Sequence, residues 1–152
     1  MPKIKLEHDP EARSITESGI DIVVETQIKN TESKERVSSA VTNLFKEAGE
    51  LRVNDNEVQF VSSNLESLRF IKDQFRDRQV RAAARRLLVS NSKDSDETTF
   101  VLLNKQAATV GIAALCDDPR ESALGPILVR IRSHRLNEVI DWLTAGYAAL
   151  SS

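Results

Sequence analysis

Short apolar runs at positions 98–103, 109–115 and 126–132 dominate the last third of the chain, and their polar boundaries predict three strands. In the last run Ile127, Val129 and Ile131 alternate with Leu128, Arg130 and Arg132, so one face goes to a core and the other stays wet. Pro126 can open that strand, because a first residue need not donate to the ladder. In the first run Phe100 and Leu102 share a face. An earlier strand is predicted over 21–29, where Ile22, Val24, Thr26 and Ile28 alternate with Val23, Glu25 and Gln27. Segments 51–53 and 58–61 flank Asn54-Asp55-Asn56, a turn composition, and form either a hairpin or one irregular edge strand.

Helical spacing fills much of the remainder. Val37, Val41, Leu44, Phe45 and Ala48 recur every three or four residues, with Thr31 or Ser33 as cap and Gly49 as stop. Asn64 caps a second helix, on which Leu68, Ile71 and Phe75 share one side. Val80, Ala84, Leu87 and Leu88 share one side of the run 79–89, yet on a single straight helix the two stripes point in opposite directions. Either the chain breaks near Asp77-Arg78-Gln79, where no Gly or Pro marks a break, or one long helix buries different faces at its two ends. The second case leaves a stripe for a partner and points to a homodimer. Leu136, Val139, Ile140 and Leu143 form a closing helix that ends near Gly146.

Strands grouped late, with helices before and after them, predict an α+β fold: a mostly antiparallel sheet with helices packed on one face. Residues 1–18 are polar, hold Pro2 and Pro10 and keep no period. They read as a loosely ordered N-terminal extension, with Ile4 and Leu6 available for a short edge strand, and residues 19–152 read as a single domain. Hydrophobic residues at 40% and charged residues at 29% match soluble globular chains. The lone Cys116 excludes an internal disulfide and fits the cytoplasm, and no apolar run approaches a membrane span.

Charge adds an asymmetry. The net value is −2, but residues 1–66 hold 8 Lys/Arg against 13 Asp/Glu and residues 67–152 hold 13 against 10. An acidic half and a basic half keep a protein soluble while leaving one face attractive to phosphates. Seven cations lie between Arg69 and Arg86. Arg78, Arg81 and Arg85 fall within about 60° on a continuous helix and form a candidate phosphate-tracking row. The structural alternative is a solvated helix face with internal salt bridges. Lys105 sits in the polar connection Asn104-Lys105-Gln106, which serves either as a tight turn with Asn104 in left-handed geometry or as a phosphate contact. Arg130 and Arg132, on the wet face of the last strand, complete the candidate RNA-binding set.

Catalytic signals are weak. His8 lies in the extension and His134 between Arg132 and Arg135, a setting that suits a surface cap better than a general base. Cys116 is followed by Asp117 and Asp118, which oppose thiolate formation, so it reads as a small core or edge residue. Five scattered glycines make no phosphate-cradling loop, and no zinc ligand set or Ser-His-Asp arrangement is visible. Most aromatics sit on apolar stripes, so any RNA contact runs through shape and phosphates. No cofactor, metal or membrane partner is expected.

The words LNKQAATVG at 103–111, LGPILVRI at 124–131 and Ile140-Asp141-Trp142-Leu143 resemble an archaeal protein family catalogued as RNA-binding. That family is similar in fold to the large-subunit ribosomal protein that holds 5S rRNA. Leu65-Glu66-Ser67-Leu68 through Arg78-Gln79, and Ala82-Ala83-Ala84-Arg85, match its helical signature, and the likeness spans about 21–143. Three departures stand out: the N-terminal extension, Thr109 where an aromatic is usual, and a longer loop at 90–96. The resemblance implies a homodimeric α+β domain, no catalytic residues and an association with RNA. A homodimeric interaction module without a nucleic-acid ligand is the alternative.

Overall fold

The computed structural model describes residues 9–93, 95–118 and 124–144. In chain order the elements are α1 (Pro10–Ser18), β1 (Ile20–Gln27), α2 (Lys34–Leu44), β2 (Glu50–Val53), β3 (Glu57–Ser62), a 3-10 turn (Leu65–Leu68), α3 (Arg69–Asp77), α4 (Arg81–Ser90), β4 (Thr98–Asn104), α5 (Lys105–Ala108), β5 (Leu115–Cys116), β6 (Pro126–Ser133) and α6 (Leu136–Leu143). One six-stranded sheet runs in the order β2-β3-β1-β6-β4-β5, and every neighbouring pair is antiparallel. The expected α+β architecture is present.

Alternation decides which side of the sheet is dry. Ile22 and Val24 of β1, Val58 and Phe60 of β3, Val101 and Leu103 of β4, and Ile127, Val129 and Ile131 of β6 are buried in one core with the helices. Each such side chain contributes on the order of 1.5–3 kcal/mol by leaving water. The opposite face carries Asp21, Val23, Glu25, Phe100, Leu102, Leu128, Arg130 and Arg132, all half-buried or exposed. Helices therefore cover one face. In β4 the phase runs against hydrophobicity: Phe100 and Leu102 lie on the open side, while Thr99 is buried and its hydroxyl donates to Leu88 O.

Several expectations change. Residues 10–18 are not a loose extension but a helix: Pro10 opens it, Asp9 caps it by accepting from Ala12 N–H at 3.0 Å, and Ala12 and Ile15 are fully buried. The segment holding Ile4, Leu6 and His8 lies outside the described residues, as do the expected helix stop at Gly146 and part of the charged turn at 117–121. Helix α2 ends at Leu44 instead of running to Ala48. Phe45 leaves helical geometry and packs against Phe60 with ring centroids 5.7 Å apart, and Ala48, not Gly49, takes a left-handed backbone at φ +64°.

The run 109–115 is not a strand. Asn104 has ordinary extended angles and caps α5 by accepting from Ala107 N–H at 2.8 Å, so the left-handed turn expected there is absent. Turn hydrogen bonds then carry the chain to Gly111, whose φ of +79° suits glycine, and β5 keeps only Leu115 and Cys116. Asn43 Nδ2 donates to Ala108 O and Thr109 O, fastening this loop to α2. Tertiary anchoring has overridden β-propensity.

The long-helix question resolves as a break. Val80 N–H reaches back to Phe75 O at 3.0 Å and Gln79 N–H to Arg76 O at 3.1 Å, the paired closure usually made with glycine at the left-handed position. Here Gln79 occupies it at φ +60°. Because α3 and α4 are separate, Ile71, Phe75, Ala84 and Leu88 all reach the same core. The reason for expecting a dimer from a spare stripe is gone. Gln79→Gly should raise stability by about 0.5 kcal/mol, because it removes about 1–2 kcal/mol of left-handed cost against about 0.5–1 kcal/mol of added chain entropy. A higher urea midpoint at unchanged slope is the expected reading, and a lowered midpoint contradicts it.

Candidate nucleic-acid interface

Breaking the helix also breaks the arginine row. Arg78 caps the end of α3, whereas Arg81 and Arg85 ride on α4, so the narrow sector predicted for a continuous helix does not form. Arg85 Nη1 donates to Asp141 Oδ1 of α6 at 2.7 Å, and Arg81 is half-buried and likewise engaged. Arg76, beside them, pairs with Asp77 at 3.1 Å and Asp73 at 3.7 Å. Arg78 and Arg86 differ: both are exposed, and neither makes a side-chain ion pair or hydrogen bond among the described residues. They line one cleft of about 320 Å³ together with Val80, Ala83, Leu87, residues 113–115 and Asp117.

Arg86 lies outside the sector that Arg78, Arg81 and Arg85 share on a continuous helix; it is exposed because it stands on the side of α4 opposite Ala84 and Leu88, and the break at Gln79 is what sets α3, with Arg78, at a new angle to it. Nothing in the local sequence distinguishes its guanidinium from that of Arg85, whose acidic partner lies 56 positions away.

Lys105 is a correction. It is only 2% exposed, and its ammonium donates to Leu124 O at 2.6 Å, Gln27 O at 2.7 Å and the Glu32 carboxylate at 3.0 Å. All three donors are spent inside the protein, so no phosphate can reach them. The cap at Asn104 starts the short helix that aims this side chain inward between the end of β1 and the start of β6.

Arg130 and Arg132 lie on the open face of the sheet, but each meets an acid from β1. Arg132 pairs with Asp21 directly across the ladder, and Arg130 reaches Glu25 at 3.3 Å. This face is close to electrically balanced and gives a polyanion little reason to settle. The six candidates therefore occupy three places: the α3–α4 corner (Arg78, Arg81, Arg85), a buried clamp (Lys105) and the sheet face (Arg130, Arg132).

A different cationic cluster serves the fold. Arg69 pairs with Asp9 and with Glu66 at 2.8 Å, and stacks 5.1 Å from the Trp142 ring centre, while Trp142 Nε1 donates to Asp9 Oδ2 at 3.0 Å. Partial burial pushes the Asp9 carboxyl up, but the hydrogen bonds from Ala12 N–H, Trp142 and Arg69, with the Arg69 charge, hold it below the usual aspartate range. The hydrogen bond to Glu66 leads the causes that raise the Arg69 guanidinium, outweighing its desolvation. The cluster staples α1 to α3 and α6. His134 pairs with Glu97 at 3.0 Å on the surface, and Cys116 is buried in the edge strand β5. Among the described residues no helix is long and apolar enough to cross a membrane.

A family model described as RNA binding matches residues 21–133. A UPF0201 protein of Methanothermobacter thermautotrophicus is 35% identical over 122 residues, which cover 80% of this chain and 89% of that one. A UPF0201 protein of Sulfurisphaera tokodaii is 35% identical over 126 residues, covering 81% and 86%. The crystal structure of one UPF0201 protein superposes at a TM-score of 0.63 with 28% identity, covering 76% of this chain and 84% of that one. That of the UPF0201 protein from Methanococcus jannaschii shares the fold at a TM-score of 0.69 and 24% identity, covering 82% and 92%. Matched over most of its length in both ways, the chain belongs to the family described as RNA binding, and the UPF0201 proteins are its relatives.

Proposed function

We propose that this protein associates with RNA without catalysing a reaction, gripping phosphates at the α3–α4 corner through Arg78 and Arg86. The supporting observation is where unpaired cations gather: Arg69, Arg76, Arg85, Arg130 and Arg132 are neutralised by carboxylates, whereas Arg78 and Arg86 are exposed and unpaired among the described residues, as Arg36 on α2 also is, and Arg78 and Arg86 share one cleft. Arg81 and Arg85 flank them and contribute by exchanging their internal partners for phosphate. Guanidinium forks suit bidentate phosphate contacts, and the family's description agrees with this chemistry.

Two principal contacts make a weak, salt-sensitive complex. Binding of a short mixed-sequence single-stranded RNA, followed by fluorescence anisotropy, should fall with a log–log salt slope of about −1.4, from about −0.7 for each of two neutralised phosphates. Arg78→Glu with Arg86→Glu should abolish it, and Asp117→Asn, which removes an acid from the cleft lining, should strengthen it. Absence of binding at low salt, or binding unaltered by the double reversal, overturns the proposal.

The acid-paired surface and the net charge of −2 favour a second reading, a self-associating module with no nucleic-acid ligand. Under that reading RNA is not retained at any salt concentration.

A further inference from the structure

A second cavity, of about 310 Å³, opens between the segment after α2 and the start of α3, and it shares no residue with the arginine cleft. Two of its charged side chains are spent on the fold, since Glu66 holds Arg69 at 3.0 and 2.8 Å. Ser67 is different. It lines the cavity at only 3% exposure, and its hydroxyl has no hydrogen-bond partner among the described residues. Folded proteins leave few such groups orphaned, and one in a cavity wall points to something bound there.

The neighbours say what that is. Phe70 lies off the stripe of Leu68, Ile71 and Phe75 and is half-buried, so part of its ring lines the cavity. Lys46 Nζ stands 4.8 Å above the ring centre, on an exposed side chain with no carboxylate partner among the described residues. Asp73 follows Phe70 by three positions on α3 and shares its face. Its ion pair with Arg76 is long, at 3.7 Å, and leaves both carboxylate oxygens able to accept. The cavity thus offers an aromatic face with a carboxylate on one side and donors on the other.

We propose that this cavity takes one unstacked guanine base of a bound RNA. The base lies on Phe70 in the seat that Lys46 occupies here, because an aromatic face stacks any base. Guanine follows from the edges. Its N1–H and N2–H donate side by side and fit the one carboxylate of Asp73, while its O6 and N7 accept from Lys46 and the Ser67 hydroxyl. Adenine carries the reverse order, an acceptor at N1 and a donor at N6, and sets a lone pair against Asp73. The inference rests on the RNA reading for its ligand and adds a base preference, which phosphate contacts do not supply. Phe70 stands at the start of α3 and Arg78 caps its end, about 12 Å away along the axis at about 1.5 Å per residue, so one short strand reaches both.

Fluorescence anisotropy at low salt tests it with labelled uridine heptamers carrying one central guanosine or adenosine. The guanosine heptamer should bind about tenfold tighter than the adenosine one. Asp73→Asn should erase that preference without altering the salt slope that Arg78 and Arg86 set. Phe70→Leu, which keeps an apolar side chain against the core, should weaken the guanosine heptamer about tenfold, the order of one lost stacking contact. Guanosine alone, which carries no phosphate, should shift the backbone NMR signals of 66–73 in wild type and in Arg78→Glu with Arg86→Glu alike. Equal binding of the two heptamers, or a guanosine preference that survives Asp73→Asn, overturns the pocket and leaves the phosphate grip standing. No RNA retained overturns the grip, and unmoved guanosine signals as well overturn both.

Discussion

Lys105→Met is expected to destabilise the protein by about 3–5 kcal/mol, the typical cost of removing one partner from a buried ion pair. For a chain of this size that is on the order of 10 °C in Tm. Methionine fills much of the volume, so the loss is electrostatic: the Glu32 carboxylate and the carbonyls of Gln27 and Leu124 lose their shared donor together. The clamp joins three regions far apart in sequence, the end of β1, the approach to α2 and the start of β6. Glu32→Gln should cost less, because Lys105 keeps both carbonyls. Combining Lys105→Met with Glu32→Leu should recover part of the loss, as expected for residues that act through one another. Urea unfolding of the four proteins tests this. A Lys105→Met midpoint indistinguishable from wild type would show that water satisfies these groups.

Gly49→Ala should destabilise by about 1–3 kcal/mol, in the range of overpacking. Its sign is informative, because Gly→Ala at an unstrained site usually stabilises by about 0.4–1 kcal/mol through the unfolded chain. At Gly49 a methyl would stand 2.3 Å from Phe60 Cζ and 2.7 Å from Val61 O. The first contact can relax by moving a ring, but that ring also packs on Phe45, and the second is backbone in the adjacent strand. Phe60→Leu in the Gly49→Ala background should restore part of the stability by withdrawing the ring. Thermal melts of the single and double variants decide it; a raised Tm for Gly49→Ala contradicts the steric account.

Much of the sheet was legible because period-2 patterning fixes which side is dry. Ile22, Val24, Ile127, Val129 and Ile131 were placed correctly by alternation alone, and the 51–61 region proved to be a hairpin through its Asn-Asp-Asn turn. The closing helix followed from its stripe. Other parts were invisible for physical reasons. Helix α1 exposes most of its residues and shows only Ala12 and Ile15 to the core, too few to produce a period, although Asp9-Pro10 is a start signal. The run TVGIAAL looks like a strand, yet its backbone is claimed by the Asn104 cap and the Asn43 amide. Gln79 gave no sign of a break because its left-handed backbone carries a side chain that usually avoids it.

The candidate site was legible as composition and illegible as geometry. A run of arginines is plain in the sequence, but which of them are neutralised depends on Asp141, Asp21 and Glu25, brought in from distant elements. Lys105 looked like a loop cation until burial was known, since its three acceptors come from segments 19 to 78 positions away.

The order of strands carries a consequence for how the molecule is made. Strands β1 and β6 lie side by side at the middle of the sheet, and Ile20 pairs with Ser133. A chain emerging from the ribosome completes β1, β2 and β3 early and can close their three-stranded unit, but one flank of β1 then waits until β6 has been synthesised. For that interval an apolar strand with unspent amides is open to any neighbouring nascent chain. Folding of this protein is thus a race between translation and misassociation, one in which slow codons between β3 and β6 would lengthen the exposure.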